Sequence, residues 1–219
     1  MFRDRFDAGR QLAERLRPLA AERPILLGLP RGGVPVAFEV ARLLRAPLDV
    51  VVVRKIGHPL QPELAVGALV DGDHPEAVLD EARMRRMGLT RADVAETIAK
   101  ETAELRRRER LYRGGRPAPQ LHDRLVVLID DGIATGASVH AALRALRRQK
   151  PARIVLAAPV APPGSVATLR HEADEVLVLE QPPWFEAVGQ FYEHFGQTSD
   201  DEVIDLLAQA RAFEPVATG

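Results

Sequence analysis

The residues best suited to chemistry lie in one short run, IDDGIATGAS at residues 129–138. Gly132 and Gly136 let backbone approach a ligand closely, Thr135 and Ser138 supply hydroxyls, and a helix starting near Ala137 would turn unpaired N–H groups toward the same point. Such a loop is an anion cradle. The spacing from Gly132 to Gly136 is not that of the nucleotide P-loop, no lysine follows, and GxGxxG is absent, so ATP and NAD are disfavoured. Asp130 and Asp131 stand directly before the cradle and would repel a bare phosphate. Ribose hydroxyls or a divalent cation must lie between, which makes a sugar phosphate the expected ligand. Adjacent strand residues point to opposite faces, so the two carboxylates converge only if the strand is already turning.

Other segments carry complementary side chains. Arg31 follows the apolar part of PILLGLPRGG, residues 24–33, and precedes Gly32 and Gly33. Lys55, one of only three lysines, closes VVVRK at residues 51–55. Arg106, Arg107 and Arg108 fit a solvated helix face. Arg113 and Arg116 instead flank Gly114 and Gly115, a hinge in a loop that would close over a phosphorylated substrate and exclude water. Trp184 and Phe185 suit stacking on a flat ring or, with Val188, Phe191 and Tyr192, the core stripe of a docking helix. His58, His74, His122 and His194 lack metal-ligand spacing.

These residues need a scaffold, and 219 residues with 46% hydrophobic and 28% charged side chains suffice for a full core. Thirty basic against thirty-one acidic residues leave a net charge of -1, so no global positive field draws nucleic acid or anionic membrane. With no cysteine, disulfides, thiolate metal sites and a cysteine nucleophile are excluded. No apolar run approaches the roughly 18 residues of a membrane span and no signal-peptide core opens the chain, so a cytoplasmic location is expected.

Helical spacing predicts a helix from Phe6 to Ala21. Three strand, loop, helix or strand, loop units follow, beginning near Pro24, Pro47 and Asp123, with small strands or a hairpin between residues 58 and 80. Glu81 to about Arg113 reads as helical, broken at Gly88 and restarted by Thr90 as N-cap. Two more strands surround a helix before the tail, where Ser199 and Glu202 form a capping box. The alternation predicts an α/β fold with a central, mainly parallel twisted sheet flanked by helices. We expect a single domain over residues 1–219, with a helical insertion and candidate lid at 80–116 and a C-terminal hood or docking helices at 181–213. Ligands of such sheets bind beyond the carboxyl ends of the strands, where the loops at Pro30, Arg54 and Asp130 would meet.

LVVLIDDGIATGAS is similar to the signature of the type I phosphoribosyltransferases, which bind 5-phosphoribosyl 1-diphosphate. LGLPRGG resembles that family's pyrophosphate loop and VVVRK its second strand, in the right order over roughly Pro24 to Glu180. RRRERLYRGGRP and FGQTSDDEV resemble a subgroup of bacterial members with no established acceptor. The resemblance implies that Ala134, Thr135, Gly136, Ala137 and Ser138 hold the 5-phosphate, and that Asp130 and Asp131 bind the ribose hydroxyls and hold metal indirectly or through substrate. It further implies that Arg31, Gly32 and Gly33 bind pyrophosphate with Mg²⁺, that Lys55 faces it, and that the pyrophosphate loop contains a cis or strained peptide. Catalysis would rest on Asp130, Asp131, Arg31 and Arg113. Displacement at the anomeric carbon passes through a cationic state while charge grows on the departing diphosphate, and arginine with a metal answers the second demand.

Hypoxanthine and guanine members carry an acid where this chain has Ala134. The acceptor is therefore expected to be adenine-like, already anionic, or served by a base elsewhere. The implied reaction joins a nitrogenous acceptor to ribose 5-phosphate with release of pyrophosphate, in a homodimer. The competing reading is a non-catalytic regulatory protein that binds the same donor.

Overall fold

The computed structural model describes residues 1–71 and 75–213. Its elements in chain order are α1 (Arg5–Leu16), β1 (Ile25–Gly28), α2 (Gly33–Leu44), β2 (Leu48–Val50), β3 (Val53–His58), β4 (Gln61–Val70), β5 (Glu76–Leu79), α3 (Glu81–Arg86) and α4 (Ala95–Arg113). There follow β6 (Leu125–Ile129), α5 (Ala137–Arg148), β7 (Arg153–Val160), α6 (Pro163–Leu169), β8 (Glu175–Glu180) and α7 (Asp200–Ala210).

Five strands form a parallel sheet in the order β2-β1-β6-β7-β8. Residues of β1 and β6 are buried throughout because helices cover both faces, so these strands read as unbroken Ile, Leu and Val rather than alternating. On one face Leu12, Val40 and Leu207 of α1, α2 and α7 pack with Leu26 and Val127. On the other, Leu143, Leu146 and Leu169 of α5 and α6 pack with Leu27, Val126 and Leu128.

β3, β4 and β5 form a separate antiparallel sheet, in which β4 and β5 are the small strands expected between residues 58 and 80. The second apolar run divides between the two sheets, which corrects its reading as one strand ending at Lys55. After Val50 the chain leaves the parallel sheet: Val51 N–H still donates to Gly28, but Val52 N–H donates to the Asp71 carboxylate, and Arg54 and Lys55 belong to β3.

Two helix boundaries also move. α1 starts where the Asp4 carboxylate accepts Asp7 N–H, but it stops at Leu16 rather than Ala21; Pro18 has no N–H to donate, and residues Arg17–Glu22 tighten into a 3₁₀ turn. Thr90 does not cap α4. Its N–H and hydroxyl both donate to Asp93, closing a turn, and the helix begins at Ala95. The expected cap of α7 is present, with Ser199 accepting Glu202 N–H.

Candidate active site

β6 ends at Ile129 and the chain turns at once, but it stays tied to β7: Asp130 N–H donates to Ala157 and Ile133 N–H to Val160, at 3.3 and 2.9 Å. The peptides between Ile133 and α5 project past the sheet edge. Gly136 reaches the left-handed conformation there with φ +75°, which L side chains rarely adopt. Among the described residues, the N–H groups of Ala134, Thr135, Gly136, Ala137 and Ser138 donate to no protein acceptor. With Asp130, Gly132 and Ile133 they line a cavity of about 190 Å³. Ser165 Oγ donates to the Ala134 carbonyl at 2.6 Å and steadies the loop. Free amides at the start of a 12-residue helix, with the positive end of its dipole behind them, make a seat for an anion.

The early turn meets the condition for two adjacent aspartates to converge. Both carboxylates face the loop that joins β1 to α2. Asp131 lies against the Gly32 backbone, where any side chain would overlap its carboxylate, and a Cβ on Gly33 would stand 2.6 Å from the Ile129 carbonyl and 3.3 Å from Asp130 Oδ1. The glycines next to Arg31 thus bring the two loops together. The Pro30–Arg31 peptide is cis. Arg31 directs Nη1 to within 3.9 Å of Asp200, which accepts the Tyr112 hydroxyl at 2.6 Å. Burial, and then the charge of Asp131, push the Asp130 carboxyl well above the usual carboxylate range.

Three contributors were missed in the sequence. Arg5 Nε donates to Asp131 Oδ2 at 2.7 Å. Tyr192 donates its hydroxyl to the Asp131 carbonyl, and burial followed by the Asp131 charge raises its phenol above its ordinary value. Asp200, the first residue of α7, links Arg31 to Tyr112. Nothing local marks Arg5 among so many arginines, and its partner is 126 positions away. Tyr192 was read as part of a helical core stripe, but residues Val188–Phe191 make only a 3₁₀ turn. This turn lies on the acidic loop because Gly132 leaves room for the Val188 side chain.

The remaining candidates fall in different places. Lys55 pairs loosely with Glu63 at 3.4 Å and, with Arg83 and His140, lines a cavity of about 270 Å³ that shares Ala137 and Ser138 with the amide cavity. Trp184 is 85% exposed, and Phe185 stacks on Phe191 with ring centres 5.3 Å apart. His74 lies outside the described residues.

Arg113 is a correction. It is buried at the end of α4, with Nε on Asp49, Nη1 on Glu109, and Nη2 on the Val50 carbonyl and 2.9 Å from Asp71. Every arm of the guanidinium is engaged inside the protein, leaving none to reach a substrate. Gly114 and Gly115, with φ +60° and +83°, terminate the helix, as glycines after a C-terminus commonly do. Arg107 and Arg108 both hold Glu104 on the helix surface, as a solvated face predicts.

The sequence matches the family described as phosphoribosyl transferase domain over residues 3–195. Two Mycobacterium tuberculosis proteins, from strains CDC 1551 / Oshkosh and ATCC 25618 / H37Rv, are provisionally named phosphoribosyl transferases. Each is 50% identical over 210 residues, covering 96% of this chain and 47% of its own length, so the chain spans about half of these relatives. The crystal structure of TT1426 from Thermus thermophilus superposes with a TM-score of 0.83 at 46% identity, over 95% of this chain and 98% of that one. No helix among the described residues is long and apolar enough to cross a membrane. On the matched domain, on half-identical relatives, and on a parallel sheet that ends in the acidic cradle, the chain belongs to the type I phosphoribosyltransferase family.

Proposed function

We propose that this chain transfers the 5-phosphoribosyl group of 5-phosphoribosyl 1-diphosphate to a nitrogenous acceptor and releases pyrophosphate. The observation that carries this reading is the row of unengaged amides from Ala134 to Ser138, set beside two carboxylates that face an Arg-Gly-Gly loop. The amides and the hydroxyls of Thr135 and Ser138 bind the 5-phosphate. Asp130 and Asp131 receive the ribose hydroxyls through their carboxyl oxygens. Arg31 and the backbone of Gly32 and Gly33 take the diphosphate and offset its growing charge as the anomeric bond lengthens. Lys55 approaches from the antiparallel sheet and adds positive potential on the phosphate side.

No three His, Asp or Glu side chains among the described residues cluster to wrap a cation. The two acidic side chains therefore fit Mg²⁺ only when substrate oxygens complete its shell, with Asp130 and Asp131 as the protein's share. The metal would supply charge neutralisation on the diphosphate. Ala134 places no carboxylate beside an acceptor, which favours an adenine-like or already anionic base over hypoxanthine or guanine. Trp184 and Phe185, on the segment covering the acidic loop, are the side chains available to stack on it. A homodimer in the cytoplasm is part of this reading.

The test is pyrophosphate release from the donor and Mg²⁺ with a panel of neutral and anionic bases. At least one base should support turnover, and Asp131→Asn should abolish it. Donor-induced stabilisation without turnover on any base would favour the regulatory reading, and no donor binding at all would overturn both.

A further inference from the structure

The Arg5 guanidinium is held at three points and is mostly buried. Its Nε–Asp131 Oδ2 bond is 2.7 Å long, between side chains only 12% and 14% exposed. Nη1 donates to the Gly196 carbonyl at 2.6 Å, and Cζ stands 3.9 Å from the centre of the Phe195 ring. These contacts draw α1, the acidic loop and the middle of the C-terminal hood onto one guanidinium. Asp131 is gripped equally closely. Its carboxylate lies between Arg5 and the Gly32 backbone, its carbonyl accepts the Tyr192 hydroxyl, and its N–H donates to Asp130 Oδ1. No N–H group of the described residues donates to Asp131 Oδ1, and the Asp130 carboxyl lies within hydrogen-bond reach of the Asp131 carboxyl.

We infer that Arg5 is a positioning residue for the donor's ribose: it occupies one oxygen of Asp131 and thereby fixes the other where a ribose hydroxyl binds. A carboxylate has about four acceptor positions, so one charge-assisted bond orients the group without filling it. The order of contacts matters chemically. A bare guanidinium beside a developing oxocarbenium ion would oppose it, whereas Asp131 stands between Arg5 and the glycine loop and presents negative charge to that side. Because the other contacts of Arg5 are Phe195 and Gly196, the placement of Asp131 also depends on the seating of the hood, and changes on the acceptor side reach the ribose site through one side chain. This inference rests on the phosphoribosyl reading.

The test uses Arg5→Gln, Arg5→Lys and Asp131→Asn in the full chain, with steady-state kinetics and donor-induced thermal shifts. Arg5→Gln should raise the donor KM about tenfold or more, the worth of one charge-assisted hydrogen bond, and shrink the donor-induced shift, with the acceptor KM moved by no more than about twofold. Arg5→Lys should recover part of the loss. If both Arg5 variants lower the melting temperature but leave donor KM and the donor-induced shift unchanged, while Asp131→Asn loses both, Arg5 is only structural and the inference fails alone. A lower donor KM in Arg5→Gln would mean that the arginine competes with ribose, which also overturns it. No donor binding by the unmodified chain overturns the phosphoribosyl reading and this inference with it. Should Arg5→Gln not fold, Phe195→Leu, which removes the ring beneath the guanidinium but keeps its charge, must raise donor KM in the same direction.

Discussion

Gly32 and Asp131 touch so closely that the space between them admits no side chain. Gly32 itself has φ -63° and ψ -32°, ordinary helical values that alanine adopts readily. Gly32→Ala is therefore a purely steric probe. It should leave the far-ultraviolet circular dichroism unchanged yet displace either Asp131 or the Arg31 loop by about 1 Å, with a loss of about 100-fold in kcat/KM for pyrophosphate release. Gly114→Ala, where the φ is +60° with open space around it, is the opposite case: about 1 kcal/mol of stability lost and turnover per folded molecule unchanged.

The two arginine environments of α4 should separate in urea titrations. Arg113→Met leaves Asp49, Asp71 and Glu109 facing one another without their shared cation, and the expected cost is about 3–5 kcal/mol. Glu104→Gln breaks two surface pairs and should cost no more than about 1 kcal/mol.

Asp71 makes stability depend on pH. Burial, only partly offset by Arg113, pushes its carboxyl up to about 7 from an unfolded value of 3.8. A raised acid holds its proton in the folded state and loses it on unfolding, so stability is greatest below the unfolded value and falls as pH rises through the folded one. The urea midpoint should therefore decline between about pH 4 and pH 7, and Asp71→Asn should make the decline shallower. Asp130, raised by burial and by Asp131, adds a slope of the same sign.

Thr135 is exposed and its hydroxyl has no partner among the described residues, so its removal should spare the fold. Thr135→Val should leave the melting temperature unchanged and raise the donor KM about tenfold, with calorimetric titration of the donor as the check.

What the sequence disclosed depends on the range over which each feature is determined. The parallel strands were legible because burial on both faces leaves an unbroken apolar run, and the cradle because Gly132, Thr135, Gly136 and Ser138 act within one turn. Where two structures share a run, the signal fails: Val50 to Val53 looks like one strand, and only the Asp71 carboxylate, some twenty positions later, draws Val52 away. Arg113 shows the same limit with larger consequences. Flanking glycines suggested a hinge, whereas the side chain is fixed by Asp49 and Asp71, two acids with nothing in their local sequence to announce a buried cation. Arg5 was invisible for the same reason.

Phe2 is almost fully buried, donates its N–H to Phe191 and accepts one from Glu193, while Arg5 reaches Gly196, 191 positions away. Joining segments so remote carries a loop-closure cost and belongs to the slow, non-local part of assembly. A nascent polypeptide will thus emerge with its sheet nearly whole and its ribose pocket still unfinished. Competence for ligand arrives once residues 191–196 have closed against residues 2–5.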